Sequence, residues 1–159
     1  MVVVFAGHSF IPSKERVKEL VKEQLKINIP NDRVVTCYFG GYGDFDYICA
    51  CASKELKQDN LKIEIVYVAP YFTLSEQSKI KELHKCGLCD ASIYPSIEGV
   101  PPRAAILKRN ELMISNADLV ISYVNCNYGG AYKSLQMAKR RQKKIINIWD
   151  IIKEKGFQE

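Results

Sequence analysis

Val34-Val35-Thr36-Cys37-Tyr38-Phe39 runs without interruption into Gly40-Gly41-Tyr42-Gly43-Asp44-Phe45-Asp46. A short apolar and β-branched run reads as a buried strand. The glycines then read as a tight turn, and beyond it Phe45, Ile48, Cys49, Ala52 and Leu56 recur at helical spacing. The same phrase occurs twice more. Residues 2–6 run into Gly7-His8-Ser9, and residues 119–124 run into Asn125-Cys126-Asn127-Tyr128-Gly129-Gly130. In an open parallel sheet such turns gather at the carboxyl edge, where ligands bind and helix N-termini aim free N–H groups at anions. Glycine is the residue that lets backbone approach a ligand closely or take a positive φ. Three such turns on one edge point to a phosphate-bearing ligand of the nucleotide class.

Outward from these turns, strand and helix patterns alternate. Ser13 is placed to cap a helix through residue 26, with Val17, Leu20, Val21 and Leu25 on one face. Pro30-Asn31-Asp32 breaks the chain. Residues 63–69 predict a third strand, ended by Pro70, and Thr73 and Glu76 have capping-box spacing for a helix to residue 85. Residues 91–94 predict a short fourth strand and residues 95–102 a loop. Residues 103–116 predict a helix carrying Ile106, Asn110, Met113, Ile114 and Ala117 on one side. A strand at 119–124, a helix at 131–142, a strand at 144–148 and a short helix after Trp149 complete the chain. The expected architecture is a Rossmann-like, doubly wound α/β fold. A mainly parallel sheet of five or six strands carries helices on both faces, in a single domain over 1–159.

Composition fits a globular domain with an anionic ligand. The 159 residues are 47% hydrophobic and 26% charged, with a net charge of +5. No apolar stretch reaches the roughly 20 residues that span a bilayer. The first apolar run is too short for a signal peptide. The expected location is the cytoplasm, with no membrane partner. Six cysteines are present. Cys37, Cys49, Cys51 and Cys126 fall in or beside core elements, where free thiols pack as small hydrophobes. His84, Cys86 and Cys89 could offer zinc three ligands, but a structural site needs four. Neither a metal site nor a cofactor is expected.

The site candidates follow from the turns. Gly7, His8 and Ser9 close the first strand; Gly40, Gly41, Tyr42, Gly43, Asp44 and Asp46 close the second. Asp44 fits a helix N-cap. Asp46 either favours the helix dipole or hydrogen-bonds ribose or base groups. Arg109 has a fork suited to phosphate, and the neighbouring Asn110 lies on an otherwise apolar face, where an amide must find partners. Asn125, Tyr128, Gly129 and Gly130 open a helix that could present N–H groups to a phosphate. Tyr42 and Tyr128 could stack on a base. The basic run 139–144 reads as a solvated helix end complementing its dipole.

In this order the motifs resemble the SLOG superfamily, and in particular small bacterial proteins of the YpsA type. The resemblance runs from Phe5-Ala6-Gly7-His8 through residues 40–46, the helix at 108–113, residues 116–123 and residues 129–148. It implies a nucleotide or nucleotide-derivative site at the sheet edge. The superfamily also holds the Lonely Guy phosphoribohydrolases and the DprA/Smf DNA-binding proteins. Arg109 matches the arginine that Lonely Guy enzymes carry, but their glutamate has no counterpart: Gly129-Gly130 is followed by Ala131, Tyr132, Lys133 and Ser134. Asp46 or Glu111 would have to supply the missing carboxylate.

The expected function is binding or sensing of a nucleotide or nucleotide-derived ligand. The alternatives are N-glycosidic hydrolysis of nucleotides, with Arg109, Asp46 and Glu111 as catalytic candidates, and a DNA-associated role like that of DprA/Smf. The expected partner is a phosphate-bearing nucleotide; nucleic acid is not expected, and homo-oligomerisation is left open.

Overall fold

A computed structural model describes residues 1–156. Six strands and six helices alternate: β1 (Val2–Gly7), α1 (Lys14–Asn28), β2 (Val35–Phe39), α2 (Asp44–Gln58), β3 (Ile63–Val68), α3 (Leu74–Lys85), β4 (Ala91–Ile93), α4 (Pro102–Ser115), β5 (Leu119–Tyr123), α5 (Gly129–Arg140), β6 (Lys144–Asn147) and α6 (Ile148–Glu154). The strands form one sheet in the order β4-β3-β2-β1-β5-β6, and every pairing is parallel. This is the Rossmann-like doubly wound architecture.

The topology fixes where a ligand can sit. From β1 the chain winds outward through β2, β3 and β4, then returns to the other side of β1 as β5. Direction reverses between β1 and β5, so their carboxyl ends part and leave a crevice. Val3↔Leu119 through Gly7↔Tyr123 sets the register of that central pair. One face of the sheet, including Val3, Phe5, Cys37, Phe39, Ile121 and Tyr123, packs under Val17, Val21 and Leu25 of α1, Phe45, Cys49 and Ala52 of α2 and Ile148 and Ile152 of α6. The opposite face, through Val4, Val68 and Val120, packs against Met113 and Ile114 of α4 and Ala138 of α5. Alternate residues of β1 thus feed opposite layers, as the period-two geometry of a strand requires.

Several local expectations are corrected. Ser13 stands at the N-cap of α1 without a side-chain cap bond. Gly43, at φ 133°, is the N-cap of α2, and Asp44 is its first helical residue. The Asp44 carboxylate instead accepts from the Ile11 N–H at 3.1 Å and from Lys14 Nζ at 2.8 Å, pinning the β1–α1 loop. The capping box on α3 is only half formed. Thr73 Oγ1 accepts from the Glu76 N–H at 3.3 Å, while the Glu76 carboxylate turns inward to two tyrosines. On α4, Arg109 rather than Asn110 holds the buried position, in line with Ala105 and Met113 at i±4.

Gly7 is the tightest point where β1 meets α2. A Cβ there would lie 2.3 Å from the Phe45 ring, which is itself fully buried. Gly7→Ala should therefore lower stability by about 1–3 kcal/mol, the usual range for overpacking. Urea denaturation measures it; an unchanged midpoint would show that Phe45 moves aside freely.

Candidate functional site

A cavity of about 510 Å³ opens at the β1/β5 crevice. Its walls come from all three glycine turns and from the helices α2, α4 and α5. Phe5 to Phe10 form one side, Gly40, Tyr42 and Asp46 a second, Ile106, Arg109 and Asn110 of α4 a third, and Asn125, Cys126, Tyr128 to Ala131 and Ser134 the last. The volume falls within the usual range for small-molecule sites.

Arg109 is the anchor. It is 1% exposed, the largest fully buried side chain among the described residues. Nη1 donates to Gly40 O at 3.0 Å and Val68 O at 2.6 Å, and Nε donates to Asn110 Oδ1 at 2.8 Å. One guanidinium thus ties α4 to the ends of β2 and β3. Desolvation lowers its pKa and the Asp46 charge works in the other direction; an arginine stays protonated regardless. Gly40 is glycine because a Cβ would lie 2.6 Å from that guanidinium.

Asp46 is half-buried on the cavity wall. Its carboxylate accepts from the Tyr42 N–H at 3.3 Å. Burial pushes its pKa up, against the pull of Arg109 and of the turn amides of Tyr42, Gly40 and Gly41. Behind these groups lies a polar cluster that the sequence did not announce. Glu76 is 4% exposed and accepts hydrogen bonds from the hydroxyls of Tyr67 and, at 3.2 Å, Tyr42. Lys79 Nζ donates to Gly41 O at 2.7 Å and sits 4.0 Å above the Tyr42 ring. Desolvation and the Glu76 charge push the Tyr42 phenol up to about 12.

The opposite wall is formed by the N-terminus of α5. Helix α5 starts at Gly129 with Tyr128 as N-cap, no side-chain cap bond and no acidic residue in its first turn. Its first N–H groups are free of capping side chains, at the positive end of the helix dipole. Cβ atoms built on Gly129 and Gly130 would meet nothing within 4 Å, so space lies before them. Gly129 also needs its φ of +87° to turn the chain into the helix. By contrast, Asp44 and Asp46 occupy the first turn of α2.

Of the residues singled out from sequence, Gly7, His8, Ser9, Gly40, Tyr42, Asp46, Arg109, Asn110, Asn125, Tyr128, Gly129 and Gly130 line this cavity. Gly41, Gly43 and Asp44 lie behind the wall. Gly41 packs on Tyr67 and Gly43 on Ser9. Glu111 is absent from the lining and pairs with Lys108 at 3.0 Å and Arg141 at 3.2 Å. Of the three residues weighed as zinc ligands, His84 and Cys86 are exposed while Cys89 is buried. Ile106, Ala131 and Ser134 also line the cavity. Ser134 could have been found as the residue one helical turn beyond Gly130.

No family model and no curated protein sequence matches the chain. Similarity appears in solved structures. A DNA processing protein A from Helicobacter pylori, with a single-stranded DNA binding mode, superposes with a TM-score of 0.60 and 19% identity, over 98% of this chain and 73% of that one. A molybdenum cofactor carrier protein from Chlamydomonas reinhardtii gives 0.53 and 11%, over 91% and 73%. A DNA processing protein A from Streptococcus pneumoniae gives 0.52 and 12%, over 99% and 62%. At such identities the likeness is one of fold, the Rossmann-like doubly wound arrangement described above. The expectation that nucleic acid is not a partner is corrected here, because a relative of this fold binds single-stranded DNA. No helix among the described residues is long and apolar enough to cross a membrane.

The Arg109–Asp46 pair makes a pH prediction. The folded-state pKa of Asp46 lies above its unfolded value, so the folded state holds this proton more tightly. The contribution to stability is greatest below the unfolded pKa and declines as pH rises towards the folded one. Replacing Arg109 by Met removes the charge that opposes the shift, so the Asp46 carboxyl pKa should rise further. Carbon-detected NMR titration reads it directly; an unmoved or lowered value would mean the two groups are not coupled.

Proposed function

We propose that the cavity binds a phosphate-bearing nucleotide or nucleotide-derived ligand, its phosphate on the N-terminus of α5 and its remaining polar groups on Arg109, Asn110 and Asp46. The observation that carries this reading is the uncapped, acid-free start of α5 facing open space across from a buried arginine. A helix N-terminus supplies directed N–H donors and a positive partial charge in one place. Asp46 and Asn110 add hydrogen-bonding groups suited to a sugar or base edge. Tyr42 is 39% and Tyr128 73% exposed, and both belong to the lining, which supports stacking on a base. Within the SLOG fold we assign the chain to the small YpsA-type proteins, on the order of its motifs, and regard it as a cytoplasmic binder or sensor.

Single-stranded DNA is the second reading, favoured by the H. pylori relative. It offers the same phosphates and bases in a longer ligand. Isothermal calorimetry against nucleoside 5′-monophosphates, matched nucleosides and short single-stranded oligonucleotides separates the two. The nucleotide reading expects monophosphates to bind and nucleosides to bind more weakly. Preference for oligonucleotides, with affinity falling steeply in salt, would establish the second reading instead.

Two variants test the site. Arg109→Ala should cost about 1.5–3 kcal/mol in binding, as charge-assisted hydrogen bonds do. Gly130→Val should fold normally, since its Cβ meets nothing within 4 Å. Its side chain should nonetheless cut nucleotide affinity at least about tenfold by filling the ligand's space. Folded Gly130→Val protein with unchanged affinity would move the ligand elsewhere.

A further inference from the structure

Two glycine turns face the same cavity, and they differ in what already occupies them. The turn that opens α5 is clear. Cβ atoms on Gly129 and Gly130 would meet nothing within 4 Å, and no acidic residue stands in the first turn of the helix. The turn after β2 is filled. A Cβ at Gly40 would lie 2.6 Å from the Arg109 guanidinium, and one at Gly41 2.6 Å from the Tyr67 ring. Gly41 takes a left-handed φ of +65°, a conformation that aims successive N–H groups of a short turn at one spot, where an anion fits. That spot holds the protein's own carboxylate. Asp46 Oδ2 accepts from the Tyr42 N–H at 3.3 Å, and the Gly40 and Gly41 amides act on the same group. Asp46 is the third residue of α2, so its side chain reaches back over the helix start, as an acidic residue at this position does.

Capping accounts for the bond to Tyr42 but not for the setting. Asp46 is only half-buried and lines the cavity beside Arg109 and Asn110. Arg109 directs its hydrogen bonds to Gly40 O, Val68 O and Asn110 Oδ1 rather than to this carboxylate. A carboxylate on a cavity wall accepts from hydroxyl and amino donors and repels a phosphate brought against it. We propose that Asp46 sets the polarity of the ligand: its end of the cavity takes the vicinal hydroxyls of a ribose and refuses a second phosphate, so the site selects a ribonucleoside phosphorylated at one end only. This rests on the nucleotide reading above and adds to it the sugar and the charge of the far end. With the phosphate on α5, the sugar spans the cavity towards α2. There the carboxylate accepts from the diol. Loss of a hydroxyl removes a donor, and a phosphate ester on it replaces the donor by an anion.

The common ribonucleoside 5′-monophosphates are titrated into the full chain by calorimetry, each beside its 2′-deoxy and its 2′-phosphorylated counterpart. Mildly alkaline buffer keeps the Asp46 carboxyl ionised. The ribonucleotide should bind at least about tenfold more tightly than either counterpart. Asp46→Asn keeps the shape of the side chain and removes its charge, so the penalty on the 2′-phosphate should shrink to within about threefold. Asp46→Ala should erase the preference for ribose over deoxyribose. These are ratios within one protein, and a general loss of stability would weaken all three probes together. Equal affinity of the wild type for the ribonucleotide and either counterpart would overturn the proposal, as would a penalty on the 2′-phosphate that survives Asp46→Asn. A second arm needs no nucleotide. Inorganic phosphate added to nitrogen-15-labelled protein should leave the Gly41 and Tyr42 amides unmoved in the wild type and shift them in Asp46→Ala, where the turn is released. Shifts there in the wild type, or none in the variant, would show that Asp46 does not close this turn to anions. Where no monophosphate binds at all, the nucleotide reading fails and the ribose selection with it, while the phosphate arm still decides whether Asp46 fills the turn.

Discussion

A guanidinium taken out of water must find acceptors in the protein, and this requirement shapes the whole carboxyl edge of the sheet. Arg109 meets it with Gly40 O, Val68 O and Asn110 Oδ1. Each of those acceptors belongs to a different part of the site: the β2 turn, the end of β3 and α4 itself. Its charge draws Asp46 to the same place, and Asp46 in turn holds the Tyr42 amide. Removing the arginine would leave two buried carbonyls without a donor and a carboxylate without its counter-charge, each costly in a low-dielectric interior. The turn cannot be glycine-free either, because the guanidinium occupies the volume a Cβ would need at Gly40.

Around this anchor the two walls of the cavity do different work. The α2 side carries its own negative charge at the helix start, through Asp44 and Asp46. The α5 side carries none. In the proposed binding mode an anion is therefore drawn to α5, and neutral hydrogen-bonding groups face the Asp46 side. Behind Tyr42, the cluster of Glu76, Tyr67 and Lys79 stiffens the β2–α2 turn from below. Such a network gains its value when every member is satisfied, which holds for these four side chains.

Much of this was legible in the chain. The alternation of apolar runs and amphipathic segments gave all six strands and the helices between them, because strand and helix periods differ sharply. The glycine turns located the edge where the cavity opens, since topology alone brings the ends of β1, β2 and β5 together. Tertiary chemistry was less visible. Asn110 looked like the misplaced polar residue on α4, yet Arg109 is the buried one; a helical pattern cannot distinguish two adjacent positions when a buried charge, paid for by distant carbonyls, sits within the stripe. Glu76 matched a capping box locally, but the hydroxyls of Tyr67 and Tyr42 compete for its carboxylate. Asp44 fitted a cap and serves the neighbouring loop.

In the proposed binding mode the first turn of α5 receives the ligand's phosphate. Amide NMR of the nitrogen-15-labelled protein tests it most directly, comparing a nucleoside 5′-monophosphate with its nucleoside. Phosphate on α5 should give large downfield amide proton shifts at Gly129, Gly130 and Ala131 with the monophosphate and little change there with the nucleoside. Binding that leaves these three amides unmoved, with shifts confined to other surfaces, would contradict it.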